Sequence, residues 1–318
     1  MGNRISSNKS NKNKNNKNYN EFGSIGRNSS INDESFKYVN GRRYLKDSNK
    51  YMLPNDDEEV DRLQSQHYLH WQIWKSNFSS PIETILKLGG VEVLDVGCGS
   101  GLWSLEMAAL YPLSNFTGID IAPQYPMDTH PLNTTFESVD ITQGLPYPDH
   151  RFDFIHVKVV LSLIAEKHMK LIFSELMRVL KPGGWLEIMD YCNDLINPGP
   201  AFTTLYTAFQ ALWSQRGINF YFCNEFDKLL LKQGFVDVHL EEKVTHFGKK
   251  GGSVGERSVE DWEAVFFLFQ KLLLEFSCMD SESFCKLIKD FRKEIDEYES
   301  SFKLFRFFGR KPQTKFLL

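Results

Sequence analysis

One short run, Val91–Gly101, constrains the fold of this chain more than any other part of the sequence. Its first residues are mostly apolar and predict a buried strand, and three glycines follow at Gly97, Gly99 and Gly101. A helical pattern begins at once at Leu102. Because glycine has no Cβ, the backbone of such a turn can lie close to a ligand. A strand, a glycine-rich turn and a helix N-terminus in this order predict the nucleotide-binding corner of a doubly wound α/β sheet.

The spacing of these glycines narrows the choice of nucleotide. A dinucleotide fingerprint, G-x-G-x-x-G, needs its third glycine where this chain has Leu102. The spacing therefore disfavours an NAD-dependent oxidoreductase, which stays open as a third alternative. One glycine-rich turn is weak evidence by itself, so the ligand has to be argued from the rest of the chain.

The bulk composition is that of a soluble globular protein. A length of 318 residues suits one sizeable domain with appendages or two small ones. The residues are 42% hydrophobic and 25% charged, which is ordinary for such a protein. A net charge of −4 argues against a nucleic-acid binder. The cysteines lack metal-ligand spacing, so neither a metal site nor a disulfide framework is expected: Cys98, Cys192, Cys223, Cys278 and Cys285. With no apolar run of membrane-spanning length, we expect a cytoplasmic protein.

The chain divides into three stretches of different character. Residues 1–35 are rich in Asn, Ser and Lys and are expected to be disordered, because they bury too little apolar surface to offset the entropy of ordering. Residues 36–56 are expected to form a partly ordered lead-in. A helical pattern begins at Asp57, and we expect residues 57–318 to form the folded domain.

Strand patterns alternate with helical patterns through this domain. After the first strand, further strands are predicted at 116–120, 135–140, 152–157, 185–190, 236–241 and 302–308. Helices are predicted from Pro81 to Gly89-Gly90, over 166–180, and at about 259–276 and 281–299. This alternation predicts βαβ crossovers and an α/β fold with a doubly wound, mostly parallel sheet.

Several motifs in a fixed order resemble those of a known family. They are Val93–Gly101, Gly118-Ile119-Asp120, Asp140-Ile141, Phe152–His156 and Val179–Glu187, with Asp61–Tyr68 before them and Gly251–Glu256 after them. Over residues 57–312 the chain resembles class I methyltransferases that use S-adenosylmethionine (SAM), in the fungal branch that includes secondary-metabolism regulators. The resemblance implies a Rossmann-like sheet of seven strands with a helical cap and an antiparallel last strand at 302–308.

The resemblance also implies a cofactor and a division of labour along the chain. SAM is expected in a core at about 80–195, bound by Asp95, Gly97, Cys98, Gly99, Gly101, Asp120, Ile121, Asp140, Ile141, Val157 and Lys158. The acceptor is expected to be a small molecule, held by elements at about 57–78, 191–222 and 251–299. The alternative is a SAM-binding regulatory or scaffold protein with little turnover.

The acidic residues of this set have different expected roles. Asp120 is expected to accept both ribose hydroxyls, since it follows the glycine turn by about 20 residues. Asp140, with the Ile141 amide, is expected to contact adenine. Asp95 either orients the methionine ammonium or bonds the amides of its own turn. Lys158 either steadies a carboxylate or is a solvated cation.

The sequence does not identify a catalytic residue. The cofactor supplies the reactive methyl group, so the protein needs chiefly to position the acceptor and exclude water. His156 is expected to be a core histidine, while Trp103, Trp185 and Tyr191 line a pocket or pack in the core. The apolar segment 262–269 is either a buried cap helix or a lid over an apolar acceptor.

The N-terminus carries a separate signal. Met1–Ser6 fits the myristoylation pattern M-G-x-x-x-[ST], with Gly2 as the lipidated residue. One myristoyl chain needs a second signal for stable anchoring, and Arg4, Lys9, Lys12, Lys14 and Lys17 offer one. Peripheral membrane contact and an unmodified polar tail both stay open, as does a nuclear location. The sequence does not indicate an oligomeric state.

Overall fold

The computed structural model describes residues 36–39, 41–46 and 51–313. The predictions of a disordered tail and of lipidation at Gly2 lie outside this part of the chain. The lead-in contains a short antiparallel hairpin of two strands, β1 (Phe36–Val39) and β2 (Arg42–Leu45). Within the described ranges, no helix combines the length and apolar character needed to cross a membrane.

The remaining strands and helices alternate along most of the chain. The strands are β3 (Glu92–Val96), β4 (Asn115–Asp120), β5 (Thr134–Ser138), β6 (Phe152–Lys158), β7 (Leu180–Ile196), β8 (Val236–His246) and β9 (Ser301–Arg310). The helices are α1 (Asp57–Trp74), α2 (Glu83–Leu88), α3 (Leu102–Leu110), α4 (Met169–Val179), α5 (Pro200–Ser214), α6 (Phe226–Lys232), α7 (Gly252–Leu268), α8 (Gln270–Ser277) and α9 (Ser281–Glu297).

Strands β3 to β9 form one seven-stranded sheet in the order β5-β4-β3-β6-β7-β9-β8. The first five strands in this order are parallel, and β9 runs antiparallel between β7 and β8. The predicted fold class is therefore confirmed, including the antiparallel last strand. The carboxyl ends of β3, β4 and β6 meet at one edge, where ligands bind in open α/β sheets.

The structure corrects several predicted boundaries. Strand β7 was expected at 185–190 but spans Leu180–Ile196, because it pairs with β9 along much of that length. The third predicted strand, 135–140, ends at Ser138 instead, since Asp140 begins a short 3-10 turn and accepts a hydrogen bond from the Thr142 amide. The helix predicted at 259–276 begins earlier, at Gly252, and is broken at Phe269.

The break at Phe269 has a packing cause. Its ring lies 5.4 Å from the ring of Phe209 and 5.1 Å from that of Trp213, both on α5. Phe269 is buried in this position. Tertiary packing of this ring thus outweighs the local helical preference.

The domain has two large apolar cores. One lies between the sheet and its flanking helices α4 and α6. The other joins α5, α7, α8 and α9 and is rich in aromatic rings; Phe202, Phe247, Phe266 and Phe291 are all fully buried in it. This second cluster holds the helical insertion against the carboxyl edge of the sheet.

A buried carboxylate fixes the segment between α1 and α2. Glu187 on β7 accepts hydrogen bonds from the Ser79 and Ser80 amides and from the Ser80 hydroxyl. Arg306 on β9 holds the same segment through the hydroxyl and carbonyl oxygens of Ser76. These contacts fix the carboxyl end of α1 against the sheet.

Candidate functional site

A cavity of about 290 Å³ lies at the carboxyl edge of the sheet. Its walls come from the glycine turn after β3, the end of β4, residues 139–142 and residues 158–164. Helices α1, α5 and α7 close the opposite side. Its volume is near the lower end of the range for small-molecule pockets, about 300–1,000 Å³.

The glycine turn has a backbone that only glycine adopts without strain. Gly97, Gly99 and Gly101 have φ values of 68°, 54° and 73°. A Cβ on Gly97 would overlap the Val160 side chain, and one on Gly99 would lie 3.2 Å from the Leu63 side chain of α1. The turn is therefore closely covered from two sides and leaves its backbone facing the cavity.

Asp120 at the end of β4 is the most constrained acid of the site. It is buried, and its two carboxylate oxygens accept hydrogen bonds from the Gly99 and Ala122 amides at 2.9 and 2.8 Å. Burial raises its pKa to about 6 despite these bonds. Each oxygen keeps further lone pairs, so the carboxylate fits a pair of ribose hydroxyls.

Asp140 and Ile141 also line the cavity, next to Asp120 on the same wall. The Asp140 Oδ1 atom accepts hydrogen bonds from the Thr142 amide and hydroxyl at 3.0 and 2.6 Å. This fixes the carboxylate in place and leaves Oδ2 as an acceptor for a purine amine. The two acids together fit an adenosine group.

All the predicted cofactor-binding residues line the cavity except Asp95, Gly101 and Val157. Asp95 is buried instead, and accepts hydrogen bonds from Ser104 Oγ at 2.7 Å and from His156 Nδ1 at 2.9 Å. Gly101 caps α3, and Val157 is wholly buried in the sheet core. Asp95 thus uses both oxygens within the protein, on neither of the two partners expected from the sequence.

Lys158 at the end of β6 is half-buried and takes part in a polar chain. Its Nζ donates to His67 Nδ1 at 2.8 Å, and His67 Nε2 donates to Glu106 Oε2 at 2.9 Å. Burial lowers the pKa of Lys158 to about 8 and also lowers that of His67. The Lys158 ammonium is thus hydrogen-bonded within the protein, and Lys158 lines the cavity.

The cavity continues into an aromatic half that the sequence motifs did not reveal. Five aromatic residues from α5, α7, the 220–225 turn and the break between α7 and α8 line it: Tyr206, Phe209, Phe220, Trp262 and Phe269. Tyr191 on β7 joins them, with its ring 6.1 Å from that of Trp262. This half suits a flat apolar molecule better than a second charged one.

Three polar residues of this half were also not predicted from the sequence. Arg62 and Gln66 on α1 and Asp261 on α7 line the cavity together. Arg62 and Gln66 are four residues apart and share a helix face, while Asp261 is an acid beside an otherwise apolar run. The spacing of Arg62 and Gln66 and the position of Asp261 could have indicated these residues in the sequence. Only the packing of α1 on α7 brings them together.

Comparison with known proteins finds similarity to methyltransferases. Residues 93–184 match a family described as a methyltransferase domain. The N-methyltransferase verN of Clonostachys rogersoniana is 23% identical over 294 residues, which are 89% of this chain and all of that protein. A structure of a phosphoethanolamine N-methyltransferase from Haemonchus contortus aligns with a TM-score of 0.46 at 18% identity, over 85% of this chain and 62% of that one.

Other relatives match a shorter part of the chain. The methyltransferase pytC of Aspergillus terreus is 31% identical over 163 residues, covering 50% of this chain and 48% of that protein. The secondary metabolism regulator laeA of Coprinopsis cinerea is 31% identical over 144 residues, covering 44% and 35%. The chain thus spans about half or less of these two relatives, and the whole of verN.

Proposed function

We propose that this chain, which contains a class I SAM-dependent methyltransferase domain, transfers the SAM methyl group to an apolar small molecule bound in the aromatic half of its cavity. The single observation that supports this is the continuity of the cavity. Its one half carries the glycine turn, Asp120 and Asp140, and its other half carries aromatic side chains. A cofactor bound in the first half would present its methyl group to the second.

The residues that would hold SAM are those of the first half. Asp120 binds the ribose hydroxyls, and Asp140 with Ile141 binds the adenine edge. The glycine turn and Lys158 lie where the methionine part fits. When bound, SAM supplies an electrophilic methyl group on a positively charged sulfur.

The protein's own part is to position the acceptor and to exclude water. Tyr206, Phe209 and Trp262 offer flat apolar contacts that hold an aromatic or aliphatic body without fixing charges. The α1 helix, held by Glu187 and Arg306, closes the cavity over the glycine turn. Holding the two reactants in an aligned pose accounts for much of the rate gain expected of such an enzyme.

The proposal is tested by labelling. The protein is incubated with [methyl-³H]SAM and an organic extract of a fungal culture, and the extract is then fractionated. Catalytic amounts of label in a small-molecule fraction support the proposal, and Phe209→Ala is expected to reduce that label while retaining S-adenosylhomocysteine binding by calorimetry.

A cofactor-binding regulator is the second candidate, favoured by the similarity to laeA regulators. It predicts S-adenosylhomocysteine binding without catalytic label in any fraction. The same experiment therefore separates the two functions. Binding of NAD in place of S-adenosylhomocysteine would contradict both.

The N-terminal tail carries its own proposal, which rests on the sequence alone. Gly2 is myristoylated, and the tail's basic residues supply the second membrane signal. Intact mass of protein expressed in a fungal host checks the lipid, with Gly2→Ala as the control. An unmodified Gly2 in that host would contradict the proposal.

A further inference from the structure

Asp261 is a buried carboxylate at the wall of the acceptor half of the cavity. It lies on α7, next to Trp262, and faces α1 and β7. The charged and titratable groups that face it are Arg62 on α1 and Tyr191 on β7. The cofactor-binding assignment above makes no use of this carboxylate.

The hydrogen bonds of this carboxylate are long. Gln66 Nε2 lies 3.3 Å from Oδ1 and 3.2 Å from Oδ2, and the Tyr191 hydroxyl lies 3.3 Å from Oδ2. A carboxylate offers about four acceptor sites, and short bonds to it measure about 2.7–2.9 Å from nitrogen. Asp261 therefore has acceptor capacity left for a ligand in the cavity.

Tyr191 is itself oriented by a buried histidine. His70 Nε2 lies 2.8 Å from the Tyr191 hydroxyl, and no described residue bonds His70 Nδ1. Burial and nearby cations lower the pKa of His70 well below its ordinary value, so the ring is neutral. The arrangement that satisfies these contacts has His70 Nε2–H donating to Tyr191, whose hydroxyl donates to Asp261.

A second feature of the acceptor half is a donor atom of Arg62, close to Asp261, that no described residue bonds. Arg62 donates to both oxygens of Glu59, at 2.9 and 2.7 Å. Its remaining Nη1 atom is buried without a hydrogen-bond partner among the described residues, and lies 3.8 Å from Asp261 Oδ1. A buried unsatisfied donor destabilises the fold unless a ligand or water bonds it.

We propose that Asp261 accepts the proton of the methyl acceptor, and that Arg62 binds an oxygen of the same molecule. The inference rests on the methyltransferase function proposed above. The acceptor then belongs to a defined chemical class: an apolar molecule with an N–H or O–H group beside a carbonyl or hydroxyl oxygen. Tyr191 and His70 are positioning residues that hold the carboxylate towards the cavity.

The step balances in atoms and charge. The acceptor's N–H or O–H bond breaks towards Asp261, and its freed electron pair forms the bond to the methyl carbon. The electrons of the carbon–sulfur bond stay on sulfur, which becomes neutral. The proton stays on Asp261 until product release opens the cavity to water.

The pH dependence follows from the surroundings of Asp261. Burial raises the pKa of this carboxyl above its ordinary value, opposed by Arg62, Gln66 and Tyr191. The reactive form is the carboxylate, so turnover falls as pH falls through this raised pKa. The Tyr191 hydroxyl stabilises the carboxylate, and its removal therefore shifts this acid limb to higher pH.

The test compares variants at saturating SAM, with the acceptor fraction identified by labelling. Asp261→Asn is expected to lower kcat/KM by about 100-fold or more and to abolish the acid limb. Asp261→Glu, which keeps a carboxylate, is expected to retain the limb, and Tyr191→Phe to shift it upwards. Asp290→Asn on α9, where the side chain is half-exposed and does not line the cavity, is the matched control and is expected to behave as the wild type.

Two further measurements do not depend on turnover. The ¹³C carboxyl resonance of Asp261, assigned by its loss in Asp261→Asn, is titrated in the S-adenosylhomocysteine complex and is expected to have a raised pKa. Calorimetry is expected to give the same S-adenosylhomocysteine affinity for the wild type and Asp261→Asn. Wild-type turnover in Asp261→Asn, or an ordinary Asp pKa, would overturn the base role alone. No labelled product from the wild type would remove the proposed function as well.

Discussion

The two halves of the cavity are built in different ways. In the cofactor half, the ligand faces a backbone turn and strand ends. The key side chains, Asp120 and Asp140, are each fixed by an amide two residues away, and Asp120 also by the Gly99 amide of the glycine turn. In the acceptor half, the wall consists of side chains from helices far apart in sequence, such as Arg62 and Asp261. The first half depends on local geometry, whereas the second depends on how helices pack.

This contrast predicts that the two halves respond to different kinds of substitution. Substitutions in the glycine turn should weaken cofactor binding with little effect on the helical cap. Damage to the cap should reduce stability or acceptor use and spare the turn.

The largest effect is expected at the centre of the aromatic cap. Phe291 on α9 is fully buried, with its ring 4.8 Å from that of Phe202 and 5.8 Å from that of Phe266. Phe291→Ala is expected to lower the free energy of unfolding by about 3–5 kcal/mol, since it removes a buried ring and leaves a cavity. Urea denaturation measures this.

The control for that substitution is Phe267→Ala on α7, because Phe267 is 44% exposed. Its effect on unfolding should be much smaller. Both variants should keep their affinity for S-adenosylhomocysteine below the unfolding transition. A large loss of affinity in Phe291→Ala would show that the halves are not independent.

The next effect is expected at the glycine turn. Gly97→Ala places a methyl group on a backbone with φ of 68° and against Val160. We expect S-adenosylhomocysteine affinity to fall by about 100-fold, or ~2.7 kcal/mol, as the turn is displaced from the cavity wall. Calorimetry measures the affinity.

Gly90→Ala is the matched control for this prediction. Gly90 also has a positive φ, 75°, but no heavy atom lies within 4 Å of the position that its Cβ would occupy. It therefore carries the backbone strain without the contact. Equal affinity losses in the two variants would mean that strain, rather than the close approach at the turn, controls binding.

The smallest of these effects is a pH dependence in the cofactor half. Burial raises the pKa of Asp120 to about 6, and the carboxylate is the form that accepts ribose hydroxyls. S-adenosylhomocysteine should therefore bind about 10-fold more weakly at pH 5 than at pH 7.5, because about nine in ten Asp120 groups are protonated at one unit below the pKa. Asp120→Asn should bind weakly at both pH values, and a wild-type affinity that does not change with pH would count against the ribose contact.

The sequence predicts the cofactor half of the cavity better than the acceptor half. The strand and glycine turn at 92–101 and the alternation of strands and helices along the chain could be predicted, because local spacing and periodicity determine them. The hydrogen bonds of Asp95 could not be predicted, since its partners His156 and Ser104 depend on side-chain packing beneath the turn.

Most of the acceptor half could not be predicted from the sequence, because it also depends on side-chain packing. A break such as the one at Phe269 is decided by rings on α5, and the meeting of Arg62 with Asp261 joins residues 199 positions apart. No periodicity in one segment contains such information. The sequence predicted which segments form the cap, but not which of their side chains face the cavity.

The position of β9 between β7 and β8 also bears on the order in which the domain folds. Strand β8 is an edge strand, and in the described part of the chain its only strand partner is β9, which begins 55 residues after β8 ends. Strand β8 can therefore join the sheet only after helices α7 to α9 have folded and β9 has paired with β7. Long-range pairing of this kind slows folding, so the sheet should be completed from its parallel side outwards, with β8 as the last strand added.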